Sequence, residues 1–284
     1  MGIIRSLIYS AAEMRFNPLA LLHLLAYAAT VTYLRGLRFI LSFHFPTIRN
    51  HVTETYHSKV VRLDDAKKIV RIGHNVECRE LEQVIPFQHA RDIVLKNPGN
   101  IVAYECACRG QKKDSCKPSD VCLVIGDPFV DLVRLFQPFR SRRITPEEAL
   151  KILEEEDRRG HIHTAWFKTA MLNRFYAICN CCRCCCLGLR FMTDYGMNMV
   201  LPSGYLAVIE GECIGCGECI RHCVFGAIQL VTAPGDGSRR KKAVIDFEKC
   251  FGCGVCEGQC RQDCISLHPH AGKGMPLNIE ALAN

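Results

Sequence analysis

The chain has 284 residues, of which 49% are hydrophobic and 23% charged, and its formal net charge is +7. Its 20 cysteines could suggest an extracellular disulfide framework, but that class requires a small loop-rich fold in a secretory context, and we expect no secretory signal peptide. We expect thiolate metal sites in a reducing compartment and a low-oxygen habitat instead. Thiolate ligands of such metal sites would lower this positive charge, which gives little support to nucleic-acid binding.

Residues 1–45 predict membrane contact. Positions 3–16 carry apolar residues at helical spacing, and positions 19–34 contain no formally charged side chain. A helix over those 16 residues extends about 24 Å, which is shorter than the roughly 30 Å hydrocarbon core. Three interpretations stay open: a monotopic or tilted helix pair, a single span that includes Arg35 and Arg38, and a docking helix for a partner subunit. We place the protein at the cytoplasmic face of the cell membrane.

The segment that follows has the composition of an ordinary soluble protein. Residues 63–72 predict a short helix that ends at Gly73, and residues 80–95 predict a helical stretch that is broken or begins at Pro86. Cys78 stands alone and is expected to be a buried apolar side chain. Four histidines without ligand spacing are expected to be structural or surface residues, namely His51, His57, His74 and His89.

Residues 144–160 predict a well-defined helix. Thr145 is its N-cap, Pro146 lies in its first turn, Glu148 completes a capping box and Gly160 ends it. His161 and His163 follow at alternate positions. A structural hydrogen-bonding role is favoured for this pair over a role as metal ligands.

Ten cysteines between residues 101 and 186 predict one or two further metal centres. A β-rich run ends in a C-x-C pair, two cysteines follow within 14 residues, and residues 179–186 contain six more. Neither apolar packing nor disulfide bonding accounts for that density. Either the two groups contribute to one cluster, or a third and a fourth cluster share the thiols, with zinc as the alternative metal. The candidate ligands are Cys106, Cys108, Cys116, Cys122, Cys179, Cys181, Cys182, Cys184, Cys185 and Cys186.

Residues 213–264 carry the most specific motif of the chain. The spacing C-x2-C-x2-C-x3-C occurs twice, at residues 213–223 and 250–260. It is the spacing of a bacterial-type ferredoxin module with two 4Fe-4S clusters. The similarity extends beyond the cysteines, since residues 207–210 match residues 243–246. Each half therefore predicts a short strand, a cluster loop, a helical turn and a second strand.

The ferredoxin resemblance implies a ligand assignment, because the fourth cysteine of each run ligates the other cluster in such modules. One cluster would take Cys213, Cys216, Cys219 and Cys260, and the other would take Cys250, Cys253, Cys256 and Cys223. Cys264 falls opposite Ala227 in the repeat and is expected to be a packing residue without a metal. The polar insertion at residues 233–242 is either a solvated hairpin or a basic docking loop.

The upstream cysteine series, with its capped helix and its G-H-I-H segment, resembles a group of 4Fe-4S dicluster-domain proteins of anaerobic bacteria and archaea. This resemblance spans roughly residues 55–270. It implies iron-sulfur binding and electron transfer beside larger redox enzymes.

The expected fold is α+β and has four parts. Membrane-contact helices occupy residues 1–45, a Cys-rich α+β module residues 46–200, a pseudo-twofold two-cluster ferredoxin domain residues 201–270, and a C-terminal tail residues 271–284.

We expect a membrane-associated, multi-cluster iron-sulfur protein that relays electrons. Its partner would be a redox protein or enzyme complex, with no nucleic acid, and a role as a subunit is favoured over stand-alone catalysis. Two alternatives stay open. The upstream cysteines could form a substrate-reducing centre that the ferredoxin clusters supply with electrons, or the upstream module could be a structural zinc domain that docks a partner.

Overall fold

A computed structural model describes residues 46–232 and 241–279. The predicted membrane-contact helices lie outside these residues, as does most of the polar insertion. Among the described ranges, no helix is both long enough and apolar enough to cross a membrane.

The upstream module is a single β-sheet with helices on both faces. Its elements in chain order are α1 (Pro46–Thr55), β1 (Tyr56–Val61), α2 (Leu63–Arg71), β2 (Val76–Cys78), β3 (Ile93–Tyr104), α3 (Ala107–Gly110), β4 (Cys122–Asp127), α4 (Phe129–Phe136), β5 (Ser141–Ile144), α5 (Pro146–Arg158), β6 (Ile162–Lys168), a 3₁₀ turn (Thr169–Met171), β7 (Arg174–Cys181), α6 (Leu187–Tyr195) and β8 (Val200–Leu201).

The strand order is β2-β3-β4-β7-β6-β1-β8, and β5 pairs with the C-terminal half of β3. The β1–β8 pair is parallel and the other pairs are antiparallel. Alternation along β3 sends Ile101 and Ala103 to one face of the sheet and Val102 and Tyr104 to the other. The first face packs on α2 and α5, and the second packs on α4 and α6.

Two helix predictions are confirmed. The first helix is observed at Leu63–Arg71. The second begins at Pro146, and the Thr145 side chain accepts a hydrogen bond from the backbone N–H of Glu148 at 3.2 Å.

The prediction of a helical stretch over residues 80–95 is wrong. Glu80 and Ala90 have φ angles of 55° and 54°, which are incompatible with a continuous right-handed helix. The chain between them forms turns and then enters β3. Its apolar residues fill the sheet core without helical periodicity, since Val84, Ile85 and Phe87 are all buried there.

The C-terminal module has the predicted internal symmetry. Its elements are β9 (Tyr205–Ile209), α7 (Glu218–His222), β10 (Ile228–Thr232), β11 (Lys241–Ile245), α8 (Val255–Gly258), β12 (Ile265–Pro269) and a 3₁₀ turn (Ala271–Lys273). The first strand of each half pairs antiparallel with the last strand of the other half, as β9–β12 and β11–β10. The two halves are therefore interleaved.

The two modules are packed against each other. Val224 and Val255 of the C-terminal module share an apolar cluster with Val60 and Ile162 of the sheet. Ser203 lies in the segment that connects the two modules, and its hydroxyl donates a hydrogen bond to the Gly252 carbonyl at 2.6 Å. These contacts fix the cluster loops of the C-terminal module against one end of the sheet.

Candidate metal centres

The cluster loops of the C-terminal module require glycine. Gly215 and Gly252 have φ angles of +69° and +62°. A Cβ atom at Gly215 would lie 2.2 Å from the Lys241 carbonyl oxygen, and one at Gly252 would lie 2.1 Å from the Tyr205 carbonyl oxygen. Only a residue without a side chain allows the loops to approach the strands this closely.

The interleaved halves bring Cys223 to the thiols of the second run. Burial, with a smaller contribution from the nearby thiols of Cys223 and Cys250, raises the pKa of Cys253 to about 12. Burial and the neighbouring thiols, with Cys253 first among them, also raise the pKa of Cys256 well above its usual value. Thiols that are so unfavourable as free anions fit a cationic iron-sulfur core, which stabilises the thiolate form.

Cys260 correspondingly lies near the first run. The Sγ atom of Cys260 is 3.5 Å from the Sγ atom of Cys264. Burial, Cys260 and Cys213 together raise the pKa of Cys264 to about 12, so Cys264 lies close both to Cys260 and to Cys213 of the first run. The backbone N–H groups of Ala227 and Ala243 donate to the Sγ atoms of Cys223 and Cys213 at 3.2 and 3.4 Å. The exchange of fourth ligands agrees with this geometry, although the assignment of individual ligands stays a prediction.

The ten upstream cysteines separate into two sets. The deep set contains Cys106, Cys108, Cys122, Cys179, Cys181 and Cys186, and the outer set contains Cys116, Cys182, Cys184 and Cys185.

The antiparallel sheet explains how the deep set assembles. Tyr104 at the end of β3 pairs with Cys122 at the start of β4, and Leu123 pairs with Ile178 near the end of β7. The C-terminal ends of β3 and β7 and the N-terminal end of β4 therefore lie side by side at one end of the sheet. Cys106 and Cys186 occupy the N-cap positions of α3 and α6, which begin at this end.

The deep thiols are in mutual contact. The Sγ atoms of Cys181 and Cys186 lie 3.2 Å apart, and the Thr164 hydroxyl is 3.3 Å from the Cys181 sulfur. Hydrogen bonds from the thiols of Cys108 and Cys122 hold the pKa of Cys106 well below its usual value. The cavity beside these thiols is lined by aromatic rings, including those of Tyr104, Trp166 and Phe191.

Arg109 is a buried cation at the wall of the same cavity. Its side chain is 1% exposed and pairs with Glu156, which is completely buried. The Arg109 guanidinium also donates to the Asn180 carbonyl at 3.1 Å. Burial alone would raise the pKa of Glu156, but hydrogen bonds from His161 and Arg109 outweigh burial and lower it. The pair therefore fixes the Arg109 guanidinium beside the deep thiols, with its charge balanced by the Glu156 carboxylate.

Both histidines after α5 make hydrogen bonds within the protein. His161 Nδ1 is 2.7 Å from the Glu156 carboxylate, and His163 Nδ1 is 2.6 Å from the Asn180 side-chain oxygen. The Asn180 side chain in turn donates to the Val121 carbonyl at 2.7 Å. These contacts belong to a polar network that supports the strand ends around the deep set.

Sequence reasoning missed Arg109, Glu156 and Asn180. Arg109 directly follows the C-x-C pair and Asn180 lies between two candidate ligands, so both positions offered a local signal. Glu156 lies in the predicted helix over residues 144–160 without any local signal, and only the folded structure brings it to Arg109, 47 residues away in sequence.

The outer set lies in two loops. Cys116 comes from the loop between α3 and β4, and the other three members come from the turn between β7 and α6. All four Sγ atoms lie within 4.8 Å of one another. Burial raises the pKa of Cys182 to about 12 and that of Cys184 to about 11, so both thiols are protonated at neutral pH until a metal displaces the protons.

The comparison with known families agrees with the C-terminal geometry. Residues 212–264 match a family described as a 4Fe-4S dicluster domain. This match and the interleaved loops identify a ferredoxin-type module, and iron-sulfur electron transfer is the chemistry that the module and the Cys-rich sites indicate. No curated protein matches the chain. The wider resemblance to proteins of anaerobic bacteria and archaea stays a prediction.

Proposed function

We propose that the protein is an electron relay in which the ferredoxin clusters exchange electrons with a further iron-sulfur cluster bound by the deep set. Six thiols are sufficient for the four ligands of one cluster, and Arg109, which is ion-paired with Glu156, lies at the wall of their cavity. When bound, iron-sulfur clusters supply one-electron transfer. The apolar residues between the deep set and the ferredoxin module would exclude water from the path between the clusters.

One contact carries this proposal. Cys181 and Cys186 of the deep set are buried in the same apolar cluster as Val224 and Val255 of the ferredoxin module. Cys253, a predicted cluster ligand, packs against that cluster. The deep set and the predicted ligand Cys253 therefore meet at an apolar interface, which would suit electron exchange between clusters bound on its two sides.

Metal content tests the number of clusters. Anaerobically purified protein is expected to contain about twelve irons per chain, since each cluster supplies four. The double variant Cys181→Ser/Cys186→Ser is expected to retain about eight irons. Its reduced EPR spectrum should lose the broadening that arises from magnetic interaction between the deep cluster and the ferredoxin clusters. Eight irons in both proteins, with identical spectra, would contradict a deep cluster.

We also propose that residues 1–45 attach the relay to the cytoplasmic face of a membrane beside a larger redox enzyme. The apolar composition of residues 19–34 supports attachment. Deletion of residues 1–45 is expected to move the protein from the membrane fraction to the soluble fraction without loss of iron. A truncated protein that still sediments with membranes would show that attachment has another origin.

A further inference from the structure

The outer set is built differently from the cluster sites. Cys184 Sγ lies 3.1 Å from Cys116 Sγ and 3.5 Å from the Sγ atoms of both Cys182 and Cys185. Four thiolates around one tetrahedral zinc ion, each about 2.3 Å from the metal, are separated from one another by about 3.8 Å. The four sulfurs therefore already have nearly the spacing that a single metal ion imposes.

A cubane cluster fits these four sulfurs poorly, because four irons and four sulfides must lie between its ligands. The ferredoxin module provides an internal comparison. Among the described residues, its eight predicted ligands form no group whose sulfurs all lie within 4.8 Å of one another, and neither does the deep set. Sulfur atoms close enough to share a single metal ion are thus a property of the outer set, and not of every Cys-rich site among the described residues.

The surroundings of the outer set suit a complex with net negative charge. Zinc with four thiolates carries a charge of about −2. The loop that contributes Cys116 has three lysines, Lys112, Lys113 and Lys117, against the two aspartates Asp114 and Asp120, and Arg183 lies between two ligands in the other loop. The Lys112 ammonium donates to the Cys184 carbonyl at 3.4 Å, which brings one of these cations to the second loop.

We propose that Cys116, Cys182, Cys184 and Cys185 bind one structural zinc ion. The ion would join the loop before β4 to the turn before α6; the deep-set residue Cys122 directly follows the first segment and Cys186 lies at the end of the second. On the proposed function, the zinc ion would hold in place two segments that position deep-set thiols, without taking part in electron transfer.

Zinc analysis of the full-length, anaerobically purified protein tests this site. We expect one zinc per chain, with an X-ray absorption spectrum that fits four sulfur ligands at about 2.3 Å. Cys184→Ser changes the exposed ligand and is expected to reduce bound zinc at least tenfold while iron content is unchanged. The matched control is Cys78→Ala, which removes a buried cysteine that belongs to neither set and should leave both metals unchanged.

Four results would overturn the zinc site. They are absence of zinc from the purified protein, loss of iron instead of zinc in Cys184→Ser, unchanged zinc in that variant, and a disulfide between Cys116 and Cys184 in the native protein. The outcome is separate from that of the relay, because zinc on the outer set and iron on the deep set are counted independently.

Discussion

At the scale of single residues, two glycines of the ferredoxin module allow the cost of a left-handed backbone to be measured separately from the cost of a steric clash. Gly226 and Gly252 have similar φ angles of +65° and +62°. A Cβ atom at Gly226 would meet nothing within 4 Å, whereas one at Gly252 would lie 2.1 Å from the Tyr205 carbonyl oxygen. Both alanine variants therefore share the cost of a left-handed backbone, and only the second adds a collision.

Gly226→Ala is expected to lower the free energy of unfolding by about 1–2 kcal/mol and to retain all of its iron. Gly252→Ala is expected to displace the second cluster loop and lose about four irons per chain. Iron analysis together with anaerobic urea denaturation of both variants measures the difference. Equal behaviour of the two proteins would mean that the loop does not approach β9 as described.

Cys264 tests how far the internal repeat predicts ligands. It aligns with Ala227, yet its sulfur lies 3.5 Å from that of Cys260, a predicted ligand. Cys264→Ala is expected to retain the full iron and sulfide content and to cost about 1 kcal/mol of stability, because only a small buried side chain is removed. Cys213→Ala, the comparison variant, is expected to lose a cluster. Loss of about four irons from Cys264→Ala would make this residue a ligand.

At the scale of secondary structure, the cap of α5 gives a direct prediction. The Thr145 hydroxyl accepts the hydrogen bond from Glu148 N–H, and no other feature of the side chain is needed for the cap. Thr145→Ala is expected to lower the free energy of unfolding by about 1 kcal/mol, whereas Thr145→Ser should change it by much less. Denaturation midpoints measure both. A serine variant as unstable as the alanine variant would show that the methyl group, and not the cap, matters.

An element can be predicted from the sequence when the residues that determine it lie close together in the chain. The N-cap of α5 at Thr145 and the ferredoxin-type cluster loops are determined locally in sequence, and both predictions are confirmed. The reciprocal half of the predicted capping box is not formed, because the Glu148 carboxylate pairs with Arg142. The helix over residues 80–95 was predicted wrongly because contacts with the sheet core, and not local propensity, determine that segment. The division of the ten cysteines was not predictable, because it depends on which strand ends meet. Cys116 is six residues from Cys122 but belongs with Cys184, 68 residues away.

At the scale of the whole molecule, the chain joins its two modules twice. It passes from the sheet into the ferredoxin module after β8, and the segment that follows β12 returns to the sheet. Leu277 and Ile279 are 2% and 3% exposed and belong to the apolar cluster formed by α2, α5 and one face of the sheet. The ferredoxin module is thus held at both ends, which restrains its cluster loops against the deep set.

Leu277→Ala tests this return. Removal of a fully buried leucine side chain is expected to lower the free energy of unfolding of the sheet by about 2–5 kcal/mol. Trp166, the one tryptophan of the chain, is buried in β6 and reports sheet unfolding by fluorescence, while complete loss of visible absorbance requires release of the ferredoxin clusters as well. Met275→Ala is the matched control, because Met275 lies in the same segment but is 43% exposed, and it should change stability by less than about 0.5 kcal/mol.

If the two variants were equally stable, the segment would not be packed in the sheet core. If Leu277→Ala destabilises the sheet and the clusters together, the two modules unfold as one cooperative unit, as expected for modules joined through a shared core.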